Sequence, residues 1–236
     1  MQFAIIGYGK MGKAIESIIL DKGYPAPIII NNSNDLPLLT QKKVDVAIEF
    51  SRPNAVIDNL QFCIENKINV VSGTTGWLDK FESIAQKAQN ANIGFLYASN
   101  FSIGVNIFFE INRKLASLMN NHPNYKASMK EIHHTQKLDS PSGTAISLAN
   151  DIIFNNHQYT KWEEAEIVDS HTIKIDSERQ GSVPGTHIIY YQSEIDTITI
   201  AHEAHNRIGF ASGAVLAAEW LAGKSGLFSM KDVLGI

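Results

Sequence analysis

The chain has 236 residues, 44% of them hydrophobic and 19% charged, an ordinary globular composition with apolar side chains enough for one large domain or two modest ones. Twenty Lys and Arg against 24 Asp and Glu give a net charge of -4, which supplies no general attraction to nucleic-acid phosphates and leaves room only for local anion sites. No apolar run approaches the roughly 18 to 20 residues that span a bilayer, and the opening Met1 to Gly7 has no basic flank, so a soluble cytoplasmic protein without nucleic-acid or membrane partners is expected.

In chain order, Gln2 to Ile6 reads as a first strand, and Met11, Ala14, Ile15, Ile18 and Ile19 mark one face of a helix that ends near Gly23. Ile28 to Ile30 is strand-like, and Val44 to Phe50 is a further strand. Pro53 is then placed to open the next helix in its first turn, two residues behind Ser51. Val70-Val71 and Ile93 to Tyr97 continue a strand and helix alternation of the kind that builds a parallel sheet. Cys63, the only cysteine, falls in the helical run Asn59 to Ile64 and reads as a buried thiol. An internal disulfide, a thiolate zinc cluster and dithiol exchange are thereby excluded, and a dehydrogenase working through cysteine is disfavoured.

After Asn100 the texture changes. Ile103 to Met119 suits a helix, and Tyr125 to Ile132 alternates as a strand that feeds into His133 and His134. Ser142 is positioned to cap a helix starting at Gly143, and Ile173 to Ile175, Ile188 to Tyr191 and Ile195 to Ala201 read as strands of an open mixed sheet. Asp176 to Gly185 reads as a mobile or functional loop, and Ala211 to Leu221 as a helix of small residues.

Two segments carry chemistry. Gly7-Tyr8-Gly9-Lys10-Met11-Gly12 fits the dinucleotide fingerprint in its required place, after a strand and opening a helix. The first glycine permits the tight turn, the second lets the backbone approach a pyrophosphate, and the third allows close packing. A plain glycine-rich turn is the alternative. The acid expected about 20 residues on is absent: the second strand ends in Asn31-Asn32-Ser33-Asn34-Asp35, without a neighbouring arginine, which leaves NADH and NADPH both open.

The second segment is Glu131-Ile132-His133-His134-Thr135-Gln136-Lys137-Leu138-Asp139-Ser140-Pro141-Ser142-Gly143-Thr144-Ala145. Two imidazoles, an ammonium and a helix amino terminus gather there. Ser142, Gly143 and Thr144 can aim N–H groups and hydroxyls at a carboxylate, Lys137 can add charge or a proton, and the histidines divide into one proton donor and one binding contact. A strand-loop-helix connection with incidental histidines is the plainer alternative. No metal is expected, since zinc needs three or four suitably spaced ligands and His202-Glu203-Ala204-His205 misses the zinc-hydrolase spacing. For the isolated His122, His157 and His171 an exposed or structural role is the default.

The segment from Glu131 to Ala145 resembles the signature of the 4-hydroxy-tetrahydrodipicolinate (dihydrodipicolinate) reductase family. Phe50-Ser51-Arg52-Pro53, Gly73-Thr74-Thr75-Gly76, Ala98 to Asn106, Val183 to His187 and Arg207 to Ala214 resemble its other motifs in the same order. The resemblance implies an α/β fold: a Rossmann-type parallel-sheet nucleotide domain of residues 1–101 and 206–236, with an inserted α+β substrate and oligomerisation domain, residues 102–205, containing the open mixed sheet. It implies a homotetramer that reduces a small dicarboxylate, 4-hydroxy-tetrahydrodipicolinate, to tetrahydrodipicolinate in the diaminopimelate and lysine pathway, using NADH or NADPH. Carried onto matching positions, His133 is the proton donor and Lys137 its catalytic partner. His134, Ser142, Gly143, Thr144 and Thr75 hold the substrate. Gly7, Tyr8, Gly9, Lys10, Met11 and Gly12, with Asn31 and Asn32, hold the pyrophosphate and adenosine, while Gly73, Thr74, Thr75, Ala98, Ser99, Asn100 and Phe101 line the nicotinamide side. The fingerprint is one residue shorter than the form with two consecutive glycines, and Asn31-Asn32 replaces the acid many members carry. Another Rossmann amino-acid dehydrogenase and a nucleotide sensor without catalysis are the alternative readings.

Overall fold

A computed structural model of the chain describes residues 1–206 and 208–236, so Arg207 of the last motif lies outside the described residues. Two compact units emerge: Met1–Ile103 with Ile208–Ile236, and Gly104–Arg207. The elements are β1 (Phe3–Ile6), α1 (Lys10–Asp21), β2 (Ile28–Ile30), α2 (Leu38–Gln41), β3 (Val46–Glu49), α3 (Val56–Glu65), β4 (Asn69–Ser72), α4 (Phe81–Asn90) and β5 (Gly94–Tyr97). Then follow α5 (Ile103–Met119), β6 (Lys126–His133), α6 (Gly143–Asn155), β7 (Lys161–Glu163), β8 (Thr172–Arg179), β9 (Gly185–Gln192) and β10 (Thr197–Ala204). The chain ends with α7 (Ile208–Leu221), β11 (Gly226–Phe228) and α8 (Met230–Leu234).

In the first unit the strands lie parallel in the order β11-β5-β4-β3-β1-β2. Their residues are apolar on both faces because helices cover both faces. Phe3, Ile5, Val46 and Ile48 pack with Ile15 and Ile19 of α1 and the alanines of α7. Ala4, Ile6, Ala47 and Val70 point the other way, against Leu60 and Cys63 of α3 and Ile84 and Ala88 of α4. Cys63 is fully buried, and that burial, with the Glu49 carboxylate adding to it, pushes its thiol up to about 12, so it is inert packing. Because β2 and β3 flank β1, the order reverses at β1, and a crevice opens at the carboxyl ends of these strands.

The small residues of α7 are a packing requirement. Ala211, Ala214, Ala217 and Ala218 are fully buried, and a Cβ on Gly213 would lie 1.8 Å from the carbonyl oxygen of Phe101.

In the second unit the sheet order is β10-β9-β6-β8-β7. Strand β9 runs antiparallel to β6 and β10, whereas β8 runs parallel to β6 and β7. One face carries Met129, Ile173, Ile175, Ile189 and Tyr191 against Ala145, Leu148 and Ile152 of α6. Strand β6 is buried at every second residue, Ala127, Met129, Glu131 and His133, so its last two inward positions carry a carboxylate and an imidazole.

Several expectations are corrected. Helix α3 starts at Val56 behind Ala55, and Pro53 lies in the preceding turn, where Arg52 O accepts from the N–H groups of Ala55 and Val56 at 3.0 Å each. Ser51 does not cap it: its N–H and hydroxyl donate to the Glu49 carboxylate, and its hydroxyl oxygen accepts from the Asn59 amide at 3.0 Å. Asp176 to Arg179 belong to β8, where pairing with β6 as far as His133↔Arg179 overrides their polarity. Ile195 stands 90% exposed in the turn before β10. The three-residue strands β7 and β11 are too short to show a period.

Gly213→Ala is expected to destabilise the protein by about 1–3 kcal/mol, or roughly 2–10 °C in Tm, through overpacking against the Phe101 carbonyl. Thermal melting followed by circular dichroism checks this, and an unchanged Tm would contradict the close approach.

Candidate active site

The crevice of the first unit is built around three glycines with different tasks. Gly7 has φ +95°, and a Cβ there would lie 2.3 Å from Phe50 O. On Gly12 a Cβ would lie 2.3 Å from Gly7 O, which makes that glycine the close contact between α1 and the turn. Beside Gly9 there is open space within 4 Å, so its backbone is open to approach from the cleft. Gly9 is also the N-cap of α1; no side chain caps the helix and no acid stands in its first turn, leaving its first N–H groups and the positive end of its dipole for an anion.

This turn opens into a cleft of about 690 Å³ lined by Gly7, Gly9, Asn31, Asn32, Ser33 and Arg52. A second cavity of about 220 Å³ is lined by Met11, Gly73, Thr74 and Thr75, and shares Phe50 and Ser51 with the first. The cradle, the uncapped helix and the amide, hydroxyl and guanidinium donors fit a dinucleotide. Tyr8 is drawn to one side, donating to Glu16. Asp35 is turned inward as well: its Oδ2 accepts from the backbone N–H of Asn31 and Asn32 at 3.0 and 3.2 Å and from the Asn32 amide at 3.0 Å. That closes the turn after β2 and takes this acid away from the role of a ribose ligand. Arg52, which sequence reading cited within a motif but gave no role, comes to the same cleft from the loop after β3. The only signal for it was its position behind a strand end.

The expected nicotinamide-side residues split by exposure. Thr74 is buried, its hydroxyl accepting from Ser51 N–H at 2.9 Å and its carbonyl from Trp77 Nε1 at 2.7 Å, while Thr75 is exposed. Phe101 is buried with its ring 5.5 Å from that of Phe50, and a Cβ on Gly73 would strike the Phe50 ring at 2.3 Å. Ala98 N–H donates to Ser72 O, Asn100 Oδ1 accepts from Ser102 N–H, and Ser99 is exposed. Beneath both segments the fully buried Glu49 accepts from Ser51 and Ser72.

In the second unit the ends of three strands and one helix meet. Register sets Glu131 of β6 opposite His187 of β9 and His133 opposite Arg179 of β8. Glu131 is fully buried. Both of its oxygens accept from Ser142 N–H at 3.1 Å, and Oε1 also accepts from Arg179 Nη2 at 3.2 Å. Its Oε2 lies 3.5 Å from His133 Nδ1 and 3.7 Å from His187 Nε2. The two imidazoles meet edge to face, centroids 5.1 Å apart.

Ser142 caps α6 as expected, its hydroxyl accepting from Ala145 N–H at 3.1 Å and lying 3.1 Å from His187 Nε2. With its N–H on Glu131 as well, and only 3% of the residue exposed, Ser142 is committed to holding the helix start. Gly143 is exposed and Thr144 half-buried, and their N–H groups find no acceptor among the described residues. His134 follows directly on the end of β6, and its carbonyl accepts from Lys137 N–H at 3.1 Å. Lys137 Nζ holds both oxygens of Asp139 at 2.8 Å, which lowers the Asp139 carboxyl. Sequence reading gave no role to Glu131, His187 or Arg179; the link among them is cross-strand register.

Burial pushes the His133 imidazole down to about 4, with His187, Lys137 and Arg179 acting in the same direction and Glu131 opposing them. The Glu131 carboxyl falls to about 2 despite its burial, because Ser142 hydrogen-bonds it and the His187 and His133 imidazoles lie beside it. Glu131, His133 and His187 also offer metal-ligand atoms within 4.8 Å of one another. The guanidinium on Glu131 and the ammonium whose field reaches His133 oppose a cation there, so proton handling is the chemistry the arrangement suits.

A switch-point crevice with a glycine cradle, and a polar cluster beside an open helix start in a separate mixed-sheet unit, define a Rossmann-type oxidoreductase that works with a nicotinamide cofactor. The chain belongs to the dihydrodipicolinate reductase family. The profile for the N-terminus of dihydrodipicolinate reductase matches residues 22–101, and that for its C-terminus matches residues 104–234. A 4-hydroxy-tetrahydrodipicolinate reductase from Christiangramia forsetii is 46% identical over 99% of this chain and 98% of its own. One from Neisseria gonorrhoeae is 34% identical over 94% and 84%. In fold, the chain is similar to a dipicolinate-bound dihydrodipicolinate reductase from Paenisporosarcina sp. TG-14, with a TM-score of 0.76 over 97% of both chains and 24% identity. Among the described residues no helix is long and apolar enough to cross a membrane.

The two depressed values set the direction of acid sensitivity. His133 is neutral in the folded protein down to about pH 4 but charges near 6.5 when unfolded, so its contribution to stability is lost as pH falls from 6.5 to 4. Glu131 adds a loss between its ordinary 4.5 and about 2. Denaturant unfolding at stepped pH is expected to show stability falling by on the order of 2–3 kcal/mol through the first window, a fall that His133→Asn abolishes.

Proposed function

We propose that the protein reduces 4-hydroxy-tetrahydrodipicolinate to tetrahydrodipicolinate with NADH or NADPH, as a cytoplasmic enzyme of the diaminopimelate and lysine pathway. The observation that carries this reading is the placing of His133 at the end of β6 beside the open amino terminus of α6, in a family whose curated members bear this activity's name. The first unit is then the nucleotide domain, residues 1–101 with 206–236, and the second, residues 102–205, the substrate and oligomerisation domain. Its edge strand β10, bonded on one side only and carrying the partly exposed Ile198, supports assembly into a homotetramer.

In this reading the N–H groups of Gly9 to Gly12 take the pyrophosphate, Asn31 and Asn32 the adenosine ribose, and Gly73 to Thr75 with Ala98 to Phe101 flank the nicotinamide. The bound cofactor supplies hydride. Reduction of one double bond needs a proton as well, and His133 gives it from its imidazole. A dicarboxylate is matched by the dipole of α6, by the N–H groups of Gly143 and Thr144, and by Lys137 once it exchanges Asp139 for substrate. His134 completes the anion site and Thr75 is a further substrate contact. Ser142 contributes by fixing the helix start.

Both cofactors are accepted, because no carboxylate projects from the end of β2 to repel a 2'-phosphate and Arg52 lines the same cleft. Arg52→Ala is expected to weaken NADPH binding roughly tenfold and to leave NADH binding within about twofold, read as Kd from nicotinamide fluorescence. Equal losses would remove Arg52 from phosphate recognition.

The reaction is tested by coupling the protein to dihydrodipicolinate synthase and following nicotinamide absorbance. Oxidation that depends on the synthase product is expected with either cofactor; none with both, from protein shown to bind nucleotide, would overturn the reading. His133→Ala should lower turnover roughly a hundredfold or more without weakening cofactor binding.

A further inference from the structure

Five charged or titratable groups face His133: Glu131 on its own strand, His187 on β9, Arg179 on β8, Lys137 in the following loop, and Asp139 through Lys137. Glu131 is the one that meets the ring edge. His133 Nδ1 is buried without a hydrogen bond of good geometry, and the anionic Oε2 stands 3.5 Å away. If Nδ1 carried a lone pair, that lone pair would face a carboxylate oxygen inside the protein, where nothing screens the repulsion. A proton on Nδ1 turns the same approach into a charge-assisted contact, long in the free protein and able to tighten when the site is filled.

The opposite ring edge is kept clear. His133 Nε2 packs beside Gly185, where a Cβ would lie 3.0 Å from that nitrogen, so glycine at the start of β9 leaves the edge unobstructed. Two residues on, at the next inward position of β9, His187 stands at Oε2 and at Ser142 Oγ. The rest of Glu131 is fixed by Ser142 N–H and Arg179.

We propose that Glu131 is the positioning residue of the site: its Oε2 holds His133 in the Nδ1–H tautomer, directs Nε2 to the substrate, and stabilises the imidazolium from which Nε2 gives up its proton. In that step the Nε2–H bond breaks, the proton passes to substrate and the ring returns to the neutral Nδ1–H form. Glu131 stays ionised throughout. This rests on His133 being the proton donor.

Two measurements test it. In wild-type protein labelled with 15N at histidine, the His133 resonances, assigned by their loss in His133→Asn, should show a protonated Nδ1 and a bare Nε2 at neutral pH; the reverse tautomer would overturn the proposal. This readout needs neither turnover nor a variant that might unfold. In Glu131→Gln, which retains an acceptor for Ser142 N–H and loses the charge, kcat at pH 7.5 should fall tenfold or more while cofactor Kd stays unchanged. The basic limb of the kcat profile should move to lower pH by about one unit, since removing the anion disfavours the imidazolium. A folded Glu131→Gln enzyme with an unmoved profile would make Glu131 merely structural, leaving the reductase reading intact. A wild-type enzyme inactive with both cofactors would instead remove that reading, whatever the tautomer.

Discussion

The second unit is organised by a charge that water does not reach. A buried carboxylate is costly unless every lone pair has a partner, and Glu131 satisfies that condition by drawing together elements distant in sequence: the start of α6 through Ser142, β8 through Arg179 and β9 through His187. The polar groups converge because each neutralises or hydrogen-bonds that carboxylate. The site follows from satisfying the charge, since the same contacts that make Glu131 tolerable place His133 at the strand end and leave the first N–H groups of α6 unclaimed.

The first unit reaches a comparable result with hardly any charge. Glu49 is as buried as Glu131, yet the donors that satisfy it are neutral: the N–H and hydroxyl of Ser51, the hydroxyl of Ser72 and the amide of Asn59. These bonds pin the ends of β3 and β4. Phe50, the next residue along, then serves as a hard surface for three backbone segments, pressed by Gly7 at its carbonyl and by Gly73 and Phe101 at its ring. Glycine at positions 7 and 73 is therefore dictated from across the fold, and the crevice walls are set before any ligand arrives. Such rigidity suits a site that must meet a polyanion with backbone N–H groups rather than with long flexible cations.

This contrast explains what could be read in the sequence. The sheet of the first unit was legible because parallel strands buried on both faces are continuous apolar runs, and the fingerprint was legible because its glycines are local to one turn. Helix α5 and the capping role of Ser142 were equally local. Glu131 was visible as a residue but not as a hub, because its partners lie 11, 48 and 56 positions away and only β-sheet register joins them. Arg52 was hidden for a related reason, as the cleft it lines is shared with Asn31 and Asn32 of a different loop. Where local signals misled, tertiary context won: Pro53 falls in the turn closed by the Arg52 carbonyl ahead of α3, and the polar stretch from Asp176 to Arg179 became strand because β6 offered it a partner.

The depressed value at His133 has a consequence for the order of events. An imidazole that is neutral down to about pH 4 carries one ring proton in the free protein, and with that proton on Nδ1, as proposed above, Nε2 has none to give. Burial holds it in that state, with His187, Lys137 and Arg179 acting in the same direction and Glu131 alone opposing them. In the proposed reaction a dicarboxylate entering the site brings two negative charges to the neighbourhood of Lys137 and Arg179. It thereby weakens the electrostatic part of what suppresses the imidazolium, burial being the larger part, and Glu131 no longer opposes that field alone. Substrate binding and charging of the donor are then one coupled event: the dianion raises the proton affinity of the group that will protonate it. If His133 is the donor, as proposed, a neutral or cationic ligand would leave it bare at Nε2, and selectivity for dianions would then reside in the protonation state of the donor as well as in the contacts that hold the carboxylates.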